Sequence, residues 1–226
     1  MPGGTAMDKD LPNVFALLQN GSVEELTSVL ANDPSAADAV NDRGVSLLLM
    51  AIYTGNSSAM NVIRKFKIKL SPWEAACTGE KAQLEKFLED DPGLINSVSP
   101  DGFSLLGYSC FFRQKEIAQM LVEKGADVNT ASQNAMKVAP LHSASAISDY
   151  DLCKLLLDHG ANVNAVQQGG YTALHAAAQN GNTQLAQLLL SHGAENDKLT
   201  DKGESAIALA KEKLHSDTAS VIEAYH

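Results

Sequence analysis

The sequence predicts an all-α chain built as an array of repeated helical units. Three observations predict it. Segments recur 33 residues apart: LHSASAIS at 141–148 returns as LHAAAQNG at 174–181, and HGANVN from His159 returns as HGAEND from His192. Hydroxyl side chains stand two residues ahead of most recurring apolar positions, where they can cap a helix by accepting a backbone N–H. Adjacent apolar pairs then follow at matching intervals, as on the core face of a second helix. One such unit cannot bury its apolar face alone, so neighbours must stack.

The clearest unit runs from Gly170-Tyr171-Thr172-Ala173-Leu174-His175 to Gly193-Ala194. Its T-A-L-H stretch and the GADVN and GANVN segments resemble the ankyrin family, whose signature is T-P-L-H-x-A. The resemblance implies an ankyrin-repeat solenoid of stacked helix-turn-helix units with short hairpin-like finger loops. Aligned on the signature leucine, the units place Phe15, Leu48, Trp73, Leu106, Leu141, Leu174 and Ile207 in register. Their spacings are 33, 25, 33, 35, 33 and 33. This gives a single ankyrin-repeat domain over 1–226, with units near 11–42, 43–68, 69–100, 101–133, 134–166, 167–199 and 200–226. The match is strong over 101–201; in the first three units it rests on spacing and apolar pattern. ANDP at 31–34 and EDDP at 89–92 echo each other 58 apart, as do Gly44 and Gly102.

Each element follows from local residues. Ser46, Ser71, Ser104, Thr172 and Ser205 are the expected helix caps; Ala139 breaks the row, although Pro140 suits a first helical turn. Small residues such as Ala75-Ala76 and Ala176-Ala177-Ala178 allow inner helices to stack closely. Val29-Leu30, Phe87-Leu88, Met120-Leu121, Leu155-Leu156 and Leu188-Leu189 are the core pairs of the second helices. Gly125, Gly160 and Gly193 fall where a helix ends in a left-handed residue. The first and last units are caps, made polar by Asp8–Asp10 and Ser22–Glu25 at one end and by Glu204, Lys211, Glu212 and Lys213 at the other. The short spacing before Trp73 predicts a truncated finger at 65–72, exposing Phe66 and Ile68, with a gap in the concave wall. Two extra residues between Asn129 and Leu141 predict a longer loop there.

Composition narrows function. Seventeen Lys and Arg against 27 Asp and Glu give a net charge of −10. That surface disfavours nucleic acid and anionic membranes and suits a neutral or basic protein surface. The start, MPGGTAMDKD, has no signal-peptide core, and no apolar run reaches the ~18 residues of a membrane span. Cys77, Cys110 and Cys153 do not form a disulfide framework, so a reducing, cytoplasmic setting is expected. All three thiols are expected to be buried and inert. His142 and His175 share one position of consecutive units, where the resemblance implies a ring that ties the turn together. His159 and His192 sit at helix ends, where a donor is favourable. No metal or cofactor motif stands out, and the chain is read as non-catalytic.

The resemblance places a protein partner on the concave face, made of finger tips and exposed inner-helix ends. Counting from the signature residues puts Val45, Phe103, Val138, Tyr171 and Glu204 there, with Tyr53, Phe111, Phe112 and Ile147 on the helix ends. Asp42, Asp101 and Met136 are at the tips. Aromatic residues are only 5% of the chain, yet Tyr53, Phe103, Phe111, Phe112 and Tyr171 all fall on groove positions. The hypothesis is an apolar centre with an acidic rim of Asp42, Asp101 and Glu204, taking a partner with a basic or apolar segment onto a monomer. The competing reading is that most of these rings fill core volume. Two other classes stay open: self-assembly through Phe66 and Ile68, and a small-ligand or enzymatic role.

Overall fold

A computed structural model describes residues 13–20 and 22–225. The Asp8–Asp10 stretch lies outside them. Among the described residues, seven short inner helices alternate along the chain with seven outer ones. The inner set is α1 (Val14–Asn20), α3 (Leu47–Tyr53), α5 (Pro72–Thr78), α7 (Leu105–Phe111), α9 (Pro140–Ala146), α11 (Ala173–Gln179) and α13 (Ala206–Glu212). The outer set is α2 (Val23–Asn32), α4 (Ser57–Phe66), α6 (Lys81–Asp90), α8 (Lys115–Glu123), α10 (Tyr150–Asp158), α12 (Thr183–Ser191) and α14 (Ser216–Ala224). No described helix is long and apolar enough to cross a membrane.

The described residues form two compact units. One ends at Leu70 and the other begins at Ser71. The division falls at the short 25-residue spacing between Leu48 and Trp73. In the first unit α1 packs on α3 and α2 on α4. In the second, α5, α7, α9, α11 and α13 pack in succession, and α8, α10, α12 and α14 line up behind them.

Local chemistry sets the helix starts. Ser46, Ser71, Ser104 and Ser205 accept from the amides three residues on, as their positions predict. Thr172 differs. Its hydroxyl lies 2.9 Å from His175 Nδ1, and the same nitrogen accepts the Thr172 N–H at 3.1 Å. At Ala139 the His142 ring takes over, accepting the Ala139 N–H at 3.1 Å. Pro140 sits in that first turn, where a missing N–H costs nothing. Gly125, Gly160 and Gly193 do have left-handed φ angles, 89°, 85° and 85°.

The outer helices bury one residue of each apolar pair more fully than the other. Leu30, Leu121, Leu156 and Leu189 are completely enclosed, whereas Val29, Phe87 and Leu155 are only half-buried. The true partners of the enclosed leucines lie four residues earlier, at Leu26, Ile117, Leu152 and Leu185, all at most 1% exposed. This is the i, i+4 row of a helix facing its core.

The ANDP and EDDP echo is a shared turn. Asp33 and Asp91 each start a 3₁₀ segment, Pro34–Asp38 and Pro92–Asn96, by accepting an amide two residues on. The truncated stretch at 65–72 is part helix and part irregular chain. α4 continues through Phe66, residues 67–71 form no regular element, with extended backbone at Lys67 and Ser71, and Pro72 opens α5. Ile68 is 96% exposed, but Phe66 is half-buried, so only one of the two residues expected to be exposed there is fully so.

Candidate partner-binding surface

In the second unit four fingers stand side by side. Each closes on one backbone pair: Ser99 N–H to Phe103 O (2.9 Å), Gln167 to Tyr171 (3.0 Å), Thr200 to Glu204 (2.9 Å), and Ser132 to Val138 (2.9 Å). The last pair spans six residues where the others span four, so the two extra residues lengthen the finger itself. Neighbouring fingers are joined by Gln133 N–H to Gly102 O (2.8 Å), Gln168 to Met136 (2.9 Å) and Asp201 to Gly169 (2.9 Å). Approach is close enough that a Cβ on Gly170 would lie 2.6 Å from the Asp201 nitrogen, and φ there is 78°. Glycine meets both demands.

The inner-helix ends are fixed in the same way. Gln114 Nε2 donates to Cys77 O (2.9 Å), Asn180 Nδ2 to Ala146 O (3.1 Å), and the Arg113 guanidinium to Ile147 O (2.6 Å). His215 Nε2 lies 3.1 Å from Gln179 O. Free carbonyls at one helix end therefore receive donors from the neighbouring repeat.

On this frame Phe111 and Met136 are 47% and 43% exposed, while Phe103, Phe112, Val138, Ile147 and Tyr171 are half-buried. The rings form a chain anchored on Tyr108, which is 2% exposed. Phe103 and Phe112 lie 5.5 and 6.3 Å from it, and Phe111 meets Phe112 edge-on at 5.1 Å. Tyr171 meets His175 edge-on at 5.8 Å. Phe103 and Phe112 thus cover the core while Phe111 faces outward. Tyr53, 39% exposed, and Asp42, also exposed, belong to the first unit. Val45 is buried there and presents no groove surface.

Asp101 is turned inward. Its carboxylate accepts from the hydroxyls of Ser99 and Tyr108. Glu204 accepts from Thr200 at 3.3 Å. The acidic rim expected at these positions is tied into its own fingers. A second ionic group lies between the starts of α8 and α10. Asp149, almost enclosed, caps α10 through the Leu152 amide and sits 3.1 Å from Lys115 and 3.8 Å from Arg113. Hydrogen bonds to Asp151 and Asp149 raise the Lys115 pKa.

Two features have no place in the expected groove. One is Tyr108, the aromatic two residues past the signature Leu106. The other is an apolar row eight residues before the signature positions: Val98 half-buried, Val166 50% and Leu199 57% exposed. The signal for this row is present in the 33-residue register, but only the finger pairing shows which strand of the hairpin it lies on. Val98 and Leu199 bridge to the capping residues Ser104 and Ser205.

The histidines serve the frame. His142 Nδ1 accepts an amide, which leaves Nε2 to donate to Ala165 O at 2.9 Å. Burial lowers the pKa of both His142 and His175. His159 and His192 place Nδ1 2.8 and 2.9 Å from the carbonyls of Leu155 and Leu188, one turn back. Cys77, Cys110 and Cys153 are buried and unpaired with each other. Burial raises all three thiols, Cys153 to about 11, so they stay protonated at neutral pH.

Residues 73–167 and 141–222 match the family described as ankyrin repeats in three copies. The chain belongs to the ankyrin-repeat family. It is similar to the ankyrin repeat protein FPV014 of Fowlpox virus (strain NVSL), 25% identical over 179 residues, covering 69% of this chain and 37% of that protein. It is also similar to an ankyrin repeat and SAM domain-containing protein of Rattus norvegicus, 31% identical over 90 residues, 40% of this chain and 10% of the other. A third similarity is to the NAD-capped RNA hydrolase NUDT12 of Homo sapiens, 37% identical over 68 residues, 29% of this chain and 15% of the hydrolase. The ankyrin-repeat chain therefore spans about a third of the viral relative and far less of the animal ones.

Proposed function

We propose that this ankyrin-repeat chain is a non-catalytic protein–protein interaction module whose second unit holds a partner across its fingers and inner-helix ends. The observation that supports this is the placement of exposed apolar side chains. Phe111, Met136, Val166 and Leu199 occupy one inner-helix end and three fingers that are bonded backbone to backbone. Side chains of this kind, held on a pre-ordered frame, are the usual anchors of an interface, because little ordering entropy is lost on binding. The mechanism is surface complementarity, with the fingers as the rigid part and the side chains as the reading part. With Asp101 and Glu204 engaged internally, apolar contact supplies most of the recognition.

The test is a paired capture from a lysate of the source organism, using wild type and a Phe111→Ser/Met136→Ser variant. Both residues are substantially exposed, so the melting temperature should move by no more than about 2 °C. Loss of two anchors should weaken a captured partner at least about tenfold. Equal retention by a folded variant would place the partner elsewhere.

A further inference from the structure

Charge is missing from one long stretch of this chain. Residues 159–194 are 36 consecutive positions without Asp, Glu, Lys or Arg, in a sequence that is 19% charged. The stretch contains α11 and α12. Among the described residues, every other outer helix carries at least two charged side chains, whereas α12 carries none. The exposed residues of α12 are Gln184, Gln187 and Ser191. Steps of three and four residues put them on one face.

That face borders a groove. α12 packs beside α10, and an open cavity of about 590 Å³ is lined by Tyr150, Gln184, Gln187, Leu188 and Ser191. The volume is in the range of small-ligand sites. Tyr150, the first residue of α10, is 40% exposed, and Leu188, at 8%, is the floor. The Tyr150 hydroxyl and the two glutamine amides hydrogen-bond no other described residue. Ser191 Oγ donates to Leu188 O at 2.8 Å, which leaves its lone pairs to accept. The charges of the α10 side are already engaged. Asp149 and Asp151 lie 3.1 and 2.8 Å from Lys115, and Lys154 holds Asp158 at 2.6 Å.

We propose that the groove between α10 and α12 binds a short neutral oligosaccharide. One sugar ring stacks its C–H face on Tyr150, and its hydroxyls bond Gln184, Gln187 and Ser191. The occupant is neutral because the lining carries no charge and the charges of α10 have partners; an ionic ligand would lose hydration and gain no counter-charge. It is rich in hydroxyls because a primary amide both donates and accepts, as a sugar hydroxyl does. A proline-rich segment offers acceptors alone, since proline has no N–H. An apolar helix would need an aliphatic floor, and Leu188 is nearly covered. The aromatic side chain suits a ring that is apolar on one face and polar at its edge. This site lies on the outer helices and is separate from the finger surface.

The probes are three neutral tetrasaccharides, maltotetraose, cellotetraose and chitotetraose, titrated into the full chain and followed by NMR of backbone and glutamine side-chain amides. At least one is expected to bind with a dissociation constant of about 1 mM or tighter, shifting the Gln184 and Gln187 side-chain resonances. Raising salt from 50 to 500 mM should change the affinity by less than about twofold, because no ion pair is involved. Tyr150→Ala should weaken binding about tenfold. Gln184→Ala/Gln187→Ala should weaken it several-fold, and these exposed positions keep the fold intact even if the tyrosine variant does not. Phe111→Ser/Met136→Ser should leave it unchanged. Failure of all three sugars to bind overturns the proposal. So does sugar binding that ignores both groove variants, or binding of a blocked octaproline peptide, but of none of the sugars, that Tyr150→Ala abolishes.

Discussion

Among single residues, Leu214 and the two repeat histidines illustrate how the frame constrains side chains that the surface does not need. Position seven past the signature residue takes a left-handed backbone in most repeats, as at Gly55 and Gly181, but Arg113, Ser148 and Leu214 hold it with φ of 57°, 56° and 63°. Leu214 is also 88% exposed, so it pays for this conformation without burial. Leu214→Gly is expected to raise stability by about 0.5–1 kcal/mol, read as a higher urea midpoint. An unchanged or lower midpoint would show that the leucine has a compensating contact. For His142 and His175, burial lowers the folded pKa below the ordinary 6.5. The unfolded chain then binds protons first as pH falls. Stability should therefore decline from about pH 6.5 downward through the folded pKa values. Ring resonances followed by NMR should titrate below 6.5 for both; a midpoint above 6.5 for either would contradict the burial argument.

At the scale of elements, side-chain staples join helix packing in holding the repeats in register. Asn129 accepts the Asn162 amide at 2.7 Å and donates to Gly160 O at 3.0 Å. Asn164 repeats the pattern with Glu195 and Gly193, at 2.9 Å each. Asn96 accepts from Asp127 at 2.8 Å, and Asn196 donates to Tyr225 O at 2.9 Å. Asn129→Ala leaves two backbone groups to water and should cost about 1–2 kcal/mol in urea denaturation. A loss below about 0.3 kcal/mol would mean that packing alone fixes the register. The last turn of α4 and the stretch after it carry Arg64, Lys65 and Lys69 in exposed positions. Limited trypsin digestion should cut there first and give one short and one long fragment; first cleavage in a finger of the second unit would refute this.

For the whole molecule, the division at Leu70 separates two helical pairs from five. Stacked repeats gain stability from each neighbour, and about three are needed to offset the cost of ordering the chain. Residues 71–226 alone are therefore expected to fold cooperatively, with helical circular dichroism and one urea transition. Residues 1–70 alone should not. A fragment 71–226 that melts without cooperativity would show that the first unit is required by the second. The same division matters for recognition, since Val166 and Leu199 of the exposed apolar row lie in the second unit, whereas Val40, 59% exposed at the same register position, lies in the first.

The repeat was legible because its causes are local. The 33-residue register, the capping serines, the glycines after the outer helices and the two-residue finger insertion each follow from side-chain chemistry within a few positions. The family and the all-helical fold came from that register. The candidate site was legible only in part. Counting could place Phe103, Phe111 and Tyr171 on one surface, but not decide which rings turn inward, because neighbouring residues on a short helix share one backbone geometry and differ in what packs behind them. Tyr108 settled this, since its buried hydroxyl draws in Ser99 and Asp101 and its ring seats Phe103 and Phe112. The inward turn of Asp101 and the outward row of Val166 and Leu199 depend on finger pairing between residues that the chain alone leaves unpaired. Sequence by itself determined the period, the caps and the helices, whose hydrogen bonds close within a few residues. Tertiary structure decided which side chains were left for a partner, because that depends on what the neighbouring repeat covers.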